Sequence, residues 1–342
     1  MLSVALRGST WGPRMRRREF IAFSMRAAVS WPLAVRAQQP EPVRRIGVLM
    51  HLEADDQEGQ DRILAFRQGL QQLGWIDARN MQVEIRWGGK DADRRGYASE
   101  LIAHAPDVIL ASTTLAMVAL QQTTSTVPIV FVNVTDPVGA GFVRSLAQPG
   151  GNVTGFTTFE FSGSAKWLEL LKEVAPQIRR AVVIRDPTIA SAVGQFAVIQ
   201  SAAQTFGLEV SPVDARDLVE IEDAVTHFLR PPNGGLVVTA SAFGLAQRDV
   251  LVEIATRHRL PTVYPFDYFV RGGGLISYGP DSVNQYRQAA TYVDRILKGE
   301  KPAELPVQAP TKYKIVLNLK TAKALGLDIS PALLGRADEV IE

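Results

Sequence analysis

The sequence predicts an α/β protein of two like-built lobes with parallel sheets, and three observations carry the prediction. Short β-branched apolar runs alternate with helical segments from Arg44 onward. The alternation breaks once, at Pro149-Gly150-Gly151, and then restarts. The two runs, 44–157 and 165–277, match in length and element count, although no residue-level repeat joins them. Regular β-α alternation implies parallel strands with right-handed crossovers. A chain of 342 residues, 46% apolar, can fill one large or two ordinary domains.

In the first run, 46–50 reads as a strand. Residues 59–73 read as a helix, with Ile63, Phe66, Leu70 and Leu73 at three-to-four spacing and Gly74 as its stop. Val83, Ile85 and Trp87 alternate as a strand, and a helix over 94–105 precedes Pro106. Residues 108–110 form a strand ending in Ser112-Thr113-Thr114, and a helix over 115–124 follows. Behind Pro128, residues 129–132 have the length and β-branching of a buried parallel strand. Asp136-Pro137 reads as N-cap and first position of a helix over 138–147, and 152–157 leaves as another strand. The stretch 127–155 is read as site and hinge together.

After the break, helices are expected over 165–174, 192–206, 218–229, 246–258 and 282–297, the last capped by Asp281. Strands are expected over 181–184, 208–213, 236–239, 262–264, 274–277 and 312–317, with a short helix and coil as the tail.

Composition excludes several chemistries. There is no cysteine, hence no disulfide, thiol nucleophile, Cys-type zinc site or cysteine-linked lipid. Residues 1–37 hold seven arginines and one acid, Glu19; the remainder has 30 basic and 34 acidic residues, so it sits at −4. The basic excess belongs to the leader, and nucleic-acid binding has no electrostatic support. Arg16-Arg17-Arg18-Glu19-Phe20-Ile21 resembles a twin-arginine export signal. An apolar, small-residue stretch follows it, interrupted by Arg26, and Val35-Arg36-Ala37 is a small-x-Ala cleavage site. Met15 is an alternative start. No apolar run reaches the roughly 18 residues that span a bilayer, so a soluble periplasmic protein, not a lipoprotein, is expected.

Nucleotide-loop, nucleophile-elbow, zinc-protease and dinucleotide signatures are missing, and the four histidines have no metal-ligand spacing. No catalytic residue, cofactor or metal is assigned. What repeats is a polar group after each strand: His51, Ser112, Thr113, Thr114, Asn133, Thr135, Asp136, Arg185, Asp186, Ser241 and Asp267. Open α/β sheets bind ligands at these carboxyl ends, and the helix starts beyond them attract anions. Asp136, Asp186 and Asp281 are equally well placed as plain N-caps, as are Thr113 and Thr114 for their helix. Tyr264, Phe266, Tyr268, Phe269 and Tyr278 lie near Gly272-Gly273-Gly274, either as core or as a flat ligand wall. The ligand-contact set therefore includes Phe266. With no Lys or Arg in the loops after the third and fourth strands, neutral donors are expected to hold a ligand carboxylate, with Asp267 or Asp136 on an ammonium.

These residues resemble a known family. Residues 127–131, TDPVGAG at 135–141, LAQPGGNVTGF at 146–156, LELLKE at 168–173, GGLISYGPD at 273–281 and PTKYKIVLNLKTAKALGL at 310–327 look like the tryptophan/tyrosine-type solute-binding proteins of ABC transporters. The resemblance runs from Arg44 to the C-terminus and implies a type I periplasmic-binding fold. It implies two Rossmann-like lobes joined by three crossovers, with the ligand between them. The lobes would be 38–157 plus 279–306 and 158–278 plus 307–342, after a 1–37 signal peptide. An amino acid or aromatic carboxylate as ligand and an ABC permease with its cytoplasmic ATPase as partners are likewise implied. A periplasmic sensor presenting ligand to a membrane receptor kinase is the alternative. His51-Leu52-Glu53 and Arg185-Asp186-Pro187 depart from the family's usual loops.

Overall fold

The structure, a computed structural model, describes residues 43–88, 93–158, 161–187, 189–214, 217–228 and 234–342. The leader read over 1–37 lies outside the described residues.

Strands β1 (Arg44–Met50), β2 (Met81–Trp87), β3 (Val108–Ser112), β4 (Ile129–Val134) and β5 (Val153–Thr157) form one parallel sheet, ordered β2-β1-β3-β4-β5. The middles of its central strands are apolar because helices cover both faces. Helices α1 (Gln57–Gln72), α2 (Arg94–Ala103) and α3 (Thr113–Gln121) make the crossovers. The buried stripe of α1 carries Gly59, Arg62, Ile63, Phe66 and Leu70. A Cβ on Gly69 would meet Ala290 Cβ and Arg287 O at 2.8 Å each. That bare backbone lets α10 (Ser282–Leu297), from far along the chain, lie against α1. Tyr286, Ala289, Ala290 and Val293 thereby join Ile46, Val48 and Phe66 in one core.

The second sheet contains β6 (Arg180–Arg185), β7 (Glu209–Asp214), β8 (Gly234–Val238), β9 (Thr262–Tyr264), β10 (Ile276–Pro280), β11 (Tyr313–Asn318) and β12 (Glu339–Ile341). Its order is β12-β11-β10-β9-β8-β6-β7, parallel except for the β10–β11 pair. Around it lie α4 (Ala165–Val174), α5 (Ala190–Ala203), α6 (Leu218–Phe228), α7 (Ala242–Ala246), α8 (Arg248–Arg257), α9 (Asp267–Arg271), α11 (Leu319–Leu325) and α12 (Pro331–Arg336). Trp167 of α4 is wholly buried and donates from Nε1 to Tyr278 O at 2.8 Å.

Three local expectations need correcting. Residues 138–147 form turns, not a helix: Asp136 stands at φ 50°, its Oδ1 accepts from Gly139 N at 2.8 Å, and Gly141 is left-handed at φ 74°. The helix expected over 246–258 is two helices, α7 and α8, because Gln247 leaves helical geometry at φ −109°, ψ 18°. The tail ends in β12, three residues whose strand state comes from pairing with β11.

Three crossovers join the lobes side by side, the first after Thr157, the second at Asp281 and the third over 305–312. Thr157 N donates to Gln308 O at 2.8 Å, and Gln308 N donates to Gly155 O at 2.9 Å. Gln285 Nε2 donates to Thr157 O at 2.7 Å, and Asp281 pairs with Lys314. Chain segments this few, bonded in part to one another, suit a hinge. Among the described residues no helix is long and apolar enough to cross a membrane.

Candidate functional site

A cavity with about 520 Å³ of empty space, its solvent mouth included, lies between the strand ends of the two sheets. The first lobe supplies His51, Arg62, Thr113, Thr114, Leu115, Asn133 and Thr135 to its wall. The second supplies Ile189, Ser191, Ala240, Ser241, Leu245, Phe266 and Tyr268, and Thr158 comes from the first crossover.

Apart from Arg62, which comes from α1, each first-lobe group is placed by a strand end. Ser112 closes β3, but its hydroxyl does not cap α3. It meets His51 Nδ1 at 2.7 Å and the hydroxyl of Tyr286. The start of α3 is thus left without a side-chain cap, and Thr113, Thr114 and Leu115 line the cavity. Thr113 stands at φ 77° and Asn133 at φ 56°. Asn133 falls where the β4–β5 register shifts, between Phe131 and Val134. Left-handed backbone is uncommon for asparagine and a true outlier for a β-branched threonine, and such strain gathers at functional sites.

The wall is rich in polar atoms lacking a protein partner. His51 Nε2, Arg62 Nη1, Thr113 Oγ1, both amide atoms of Asn133 and Thr158 Oγ1 are buried without a hydrogen bond among the described residues. Each such group costs about 1–3 kcal/mol if nothing ever meets it. A cluster of them around one cavity suits a polar ligand or the water that precedes it.

The aromatic residues divide. All four belong to the second-lobe core, but Phe266 and Tyr268, stacked at 5.3 Å, also line the cavity, whereas Tyr264 and Phe269, stacked at 4.8 Å, do not. Two contacts join the lobes. Arg248 Nη1 pairs with Asp56 Oδ2 at 2.7 Å, and the Arg62 guanidinium lies 5.7 Å from the Tyr268 ring centre.

Of the residues singled out from sequence, His51, Thr113, Thr114, Asn133, Thr135, Ser241 and Phe266 line the cavity. Ser241 also caps α7, accepting from Gly244 N at 2.9 Å. Ser112 lies beneath the wall, spent on His51 and Tyr286. Asp136 faces its own turn. Arg185 pairs with Asp214 at 2.9 Å and lies over Phe196. Asp186 is off the wall; its carbonyl accepts from Ile189 N at 3.3 Å. Asp267 begins α9 and pairs with Arg271 at 3.1 Å. Among the described residues no carboxylate lines the cavity. The expectation that only neutral donors serve it also changes, because Arg62 arrives from α1. Its signal was present in the sequence: an arginine beside Ile63 on the helical stripe that also carries Phe66.

Burial, followed by the fields of Arg62, Arg94 and Arg248, holds the His51 imidazole well below its ordinary pKa of 6.5. His51 is therefore neutral in the folded protein where the unfolded chain is already protonated. The unfolded state then binds more protons, so this contribution is fully present above pH 6.5 and is lost as pH falls toward the folded pKa. Urea titrations should show stability dropping by up to about 1.4 kcal/mol per pH unit below about pH 6.5. His51→Gln should flatten that slope; an unchanged slope would assign it to other groups.

Comparison with known proteins adds an independent line. The sequence model of the family described as ABC transporter substrate binding protein matches residues 45–341. A tyrosine-binding protein of Clostridioides difficile (strain R20291) is 26% identical over 269 residues, spanning 77% of this chain and 75% of that one. The crystal structure of a conserved domain protein from Vibrio cholerae has a TM-score of 0.80 at 27% identity, covering 87% of this chain and 99% of its own. A Streptococcus pneumonia ABC domain in complex with L-Trp has a TM-score of 0.79 at 24% identity, with the same coverage of 87% and 99%. The shared architecture is the periplasmic-binding fold of two α/β lobes.

Proposed function

Because the chain belongs to the ABC transporter substrate binding protein family, we propose that it captures a small carboxylate-bearing ligand between its lobes. The ligand is an amino acid or an aromatic compound, and the loaded protein hands it to an ABC permease driven by a cytoplasmic ATPase. The observation that carries the reading is the set of buried, unpartnered polar atoms contributed to one cavity by the first lobe and the first crossover. The Phe266–Tyr268 shelf opposite them suits a flat apolar body. The L-Trp complex and the tyrosine-binding relative support the same ligand class. Binding without turnover is the chemistry such a site performs.

The direct test is calorimetry of ligand-free protein with L-tyrosine, L-tryptophan and 3-(4-hydroxyphenyl)propionate. Binding of at least one at micromolar affinity is expected. Binding of none, with a neutral sugar bound instead, would remove the reading.

Hinge closure accompanies capture. Small-angle scattering should show a smaller radius of gyration at saturation, and an unchanged radius would count against it. The Arg248–Asp56 pair is one latch, with side chains 20% and 13% exposed. A half-screened ion pair is worth about 1 kcal/mol, so Arg248→Gln should weaken binding roughly fivefold, and the difference should shrink at high salt. Asp56 is the poorer choice, because its Oδ1 also caps α1 at Gly59 N.

The twin-arginine-like leader supports export to the periplasm with cleavage after Ala37. Sequencing of exported protein is then expected to begin at Gln38; a full-length cytosolic product would contradict export.

A further inference from the structure

We propose that Arg62 anchors the ligand's carboxylate through its Nη1 edge and so makes this cleft select acids over their amides. The proposal rests on the carboxylate-ligand reading above and assigns its charge partner.

Helix periodicity puts Arg62 on the inward stripe of α1, where its side chain is only 1% exposed. A guanidinium that deep persists only if its charge is met. Glu58, one turn earlier, meets part of it: Arg62 Nε donates to Glu58 Oε1 at 2.9 Å. Two rings lie near the guanidinium, Tyr268 from the second lobe and Tyr286 from α10, each centred 5.7 Å from Cζ. The Glu58 bond and these rings restrain the group while leaving donors over. A guanidinium has five N–H donors in a fork that matches a carboxylate; Arg62 lines the cavity, and its buried Nη1 has no hydrogen-bond partner among the described residues. His51 Nε2 and Asn133 Nδ2 are further buried atoms in the same wall without a protein partner. The open start of α3 adds backbone N–H groups. An anion placed there meets one fixed cation and several neutral donors, with no reorganisation of the side chain that carries the charge.

A purely mechanical role is the competing account: Arg62 as a staple between Tyr268 and Tyr286. The two accounts differ in what they do to discrimination. A lost staple weakens every ligand alike, whereas a lost anchor weakens acids only.

The experiment is calorimetry with matched acid and amide pairs: L-tyrosine with L-tyrosinamide, and 3-(4-hydroxyphenyl)propionate with its amide. Wild type is compared with Arg62→Gln and with the charge-balanced double variant Glu58→Gln/Arg62→Gln, which leaves no lone buried carboxylate. Thermal melts confirm folding; Arg62→Lys, which keeps the charge but loses the fork, covers the case where both fail. Wild type should prefer the acid by tenfold or more, as one charge-assisted bond implies. The preference should fall to within about twofold in the Gln variants and lie between in Arg62→Lys. Equal loss for acid and amide, or a preference that survives in the variants, overturns the anchor while leaving carboxylate capture standing. Failure of all four probes on wild type overturns the carboxylate reading and the anchor with it.

Discussion

Asn133→Gly is expected to cost roughly 10- to 100-fold in ligand affinity while leaving the fold as stable as before, or slightly more so. Both halves follow from one residue's geometry. Asn133 stands at φ 56°, a conformation that glycine adopts freely and asparagine adopts at a small cost. Removing the side chain therefore relieves backbone strain. Meanwhile Asn133 lines the cavity, and its buried Oδ1 and Nδ2 have no hydrogen-bond partner among the described residues. Two ligand hydrogen bonds at about 0.5–1.5 kcal/mol each give that loss of affinity. The check is paired: a thermal melt without ligand, and calorimetry with whichever of L-tyrosine, L-tryptophan or 3-(4-hydroxyphenyl)propionate binds wild type tightest. A melting point that falls together with affinity would mean that Asn133 supports the fold and has no special tie to the ligand. A melting point that holds or rises while affinity falls is the pattern of a residue kept for binding at some expense to stability.

Asn133 also illustrates what was legible beforehand. The alternation of strands and helices was readable because parallel strands buried on both faces must be apolar, and their ends must turn polar where they reach solvent or ligand. That rule found His51, Thr113, Thr114, Asn133, Thr135 and Ser241 by position alone. It fails where the hydrogen bond of a polar side chain is decided by tertiary neighbours. Ser112 obeys the rule and yet turns away, because Tyr286, 174 residues later, brings a hydroxyl to it. Asp136 and Asp267 look like ammonium partners in sequence, but a turn amide and Arg271 claim them first. Arg62 was missed for the opposite reason. It lies mid-helix, not at a strand end, and only the docking of α1 against α10 carries it to the cavity. Ile189 and Leu245 are plain apolar residues whose place on the wall depends on how the second lobe meets the first. Loops and caps were thus readable one element at a time, while the identity of the charged group in the wall required the packed structure.

Gly155→Ala is expected to be the most damaging small substitution on the hinge side of the site. Gly155 lies in β5, the strand that leads into the first crossover, at φ 154°. A Cβ built there would sit 2.1 Å from Phe131 O and 2.6 Å from Phe131 N. Both are backbone atoms of the neighbouring strand, so no side chain can swing aside to make room. The sheet must part or β5 must slide, and either move breaks pairing next to the β4 irregularity that presents Asn133. Gly155 O also accepts from Gln308 N at 2.9 Å, so displacing β5 pulls on the third crossover too. A clash with no soft partner is among the few mechanisms that exceed about 4 kcal/mol for one methyl group. For a chain of this size that corresponds to a melting point lower by on the order of 10 °C. Gly335→Ala is the matched control: its added Cβ meets nothing within 4 Å, so the melting point should hold or rise slightly. Differential scanning calorimetry on the two variants separates the cases. If Gly155→Ala melts within 2 °C of wild type, as roughly 1 kcal/mol or less would imply, then β5 has slack that its packing against Phe131 denies. Scattering of the same variant carries the argument to function, because a strained first crossover should change the radius of gyration reached with bound ligand, whereas a merely destabilised core would not.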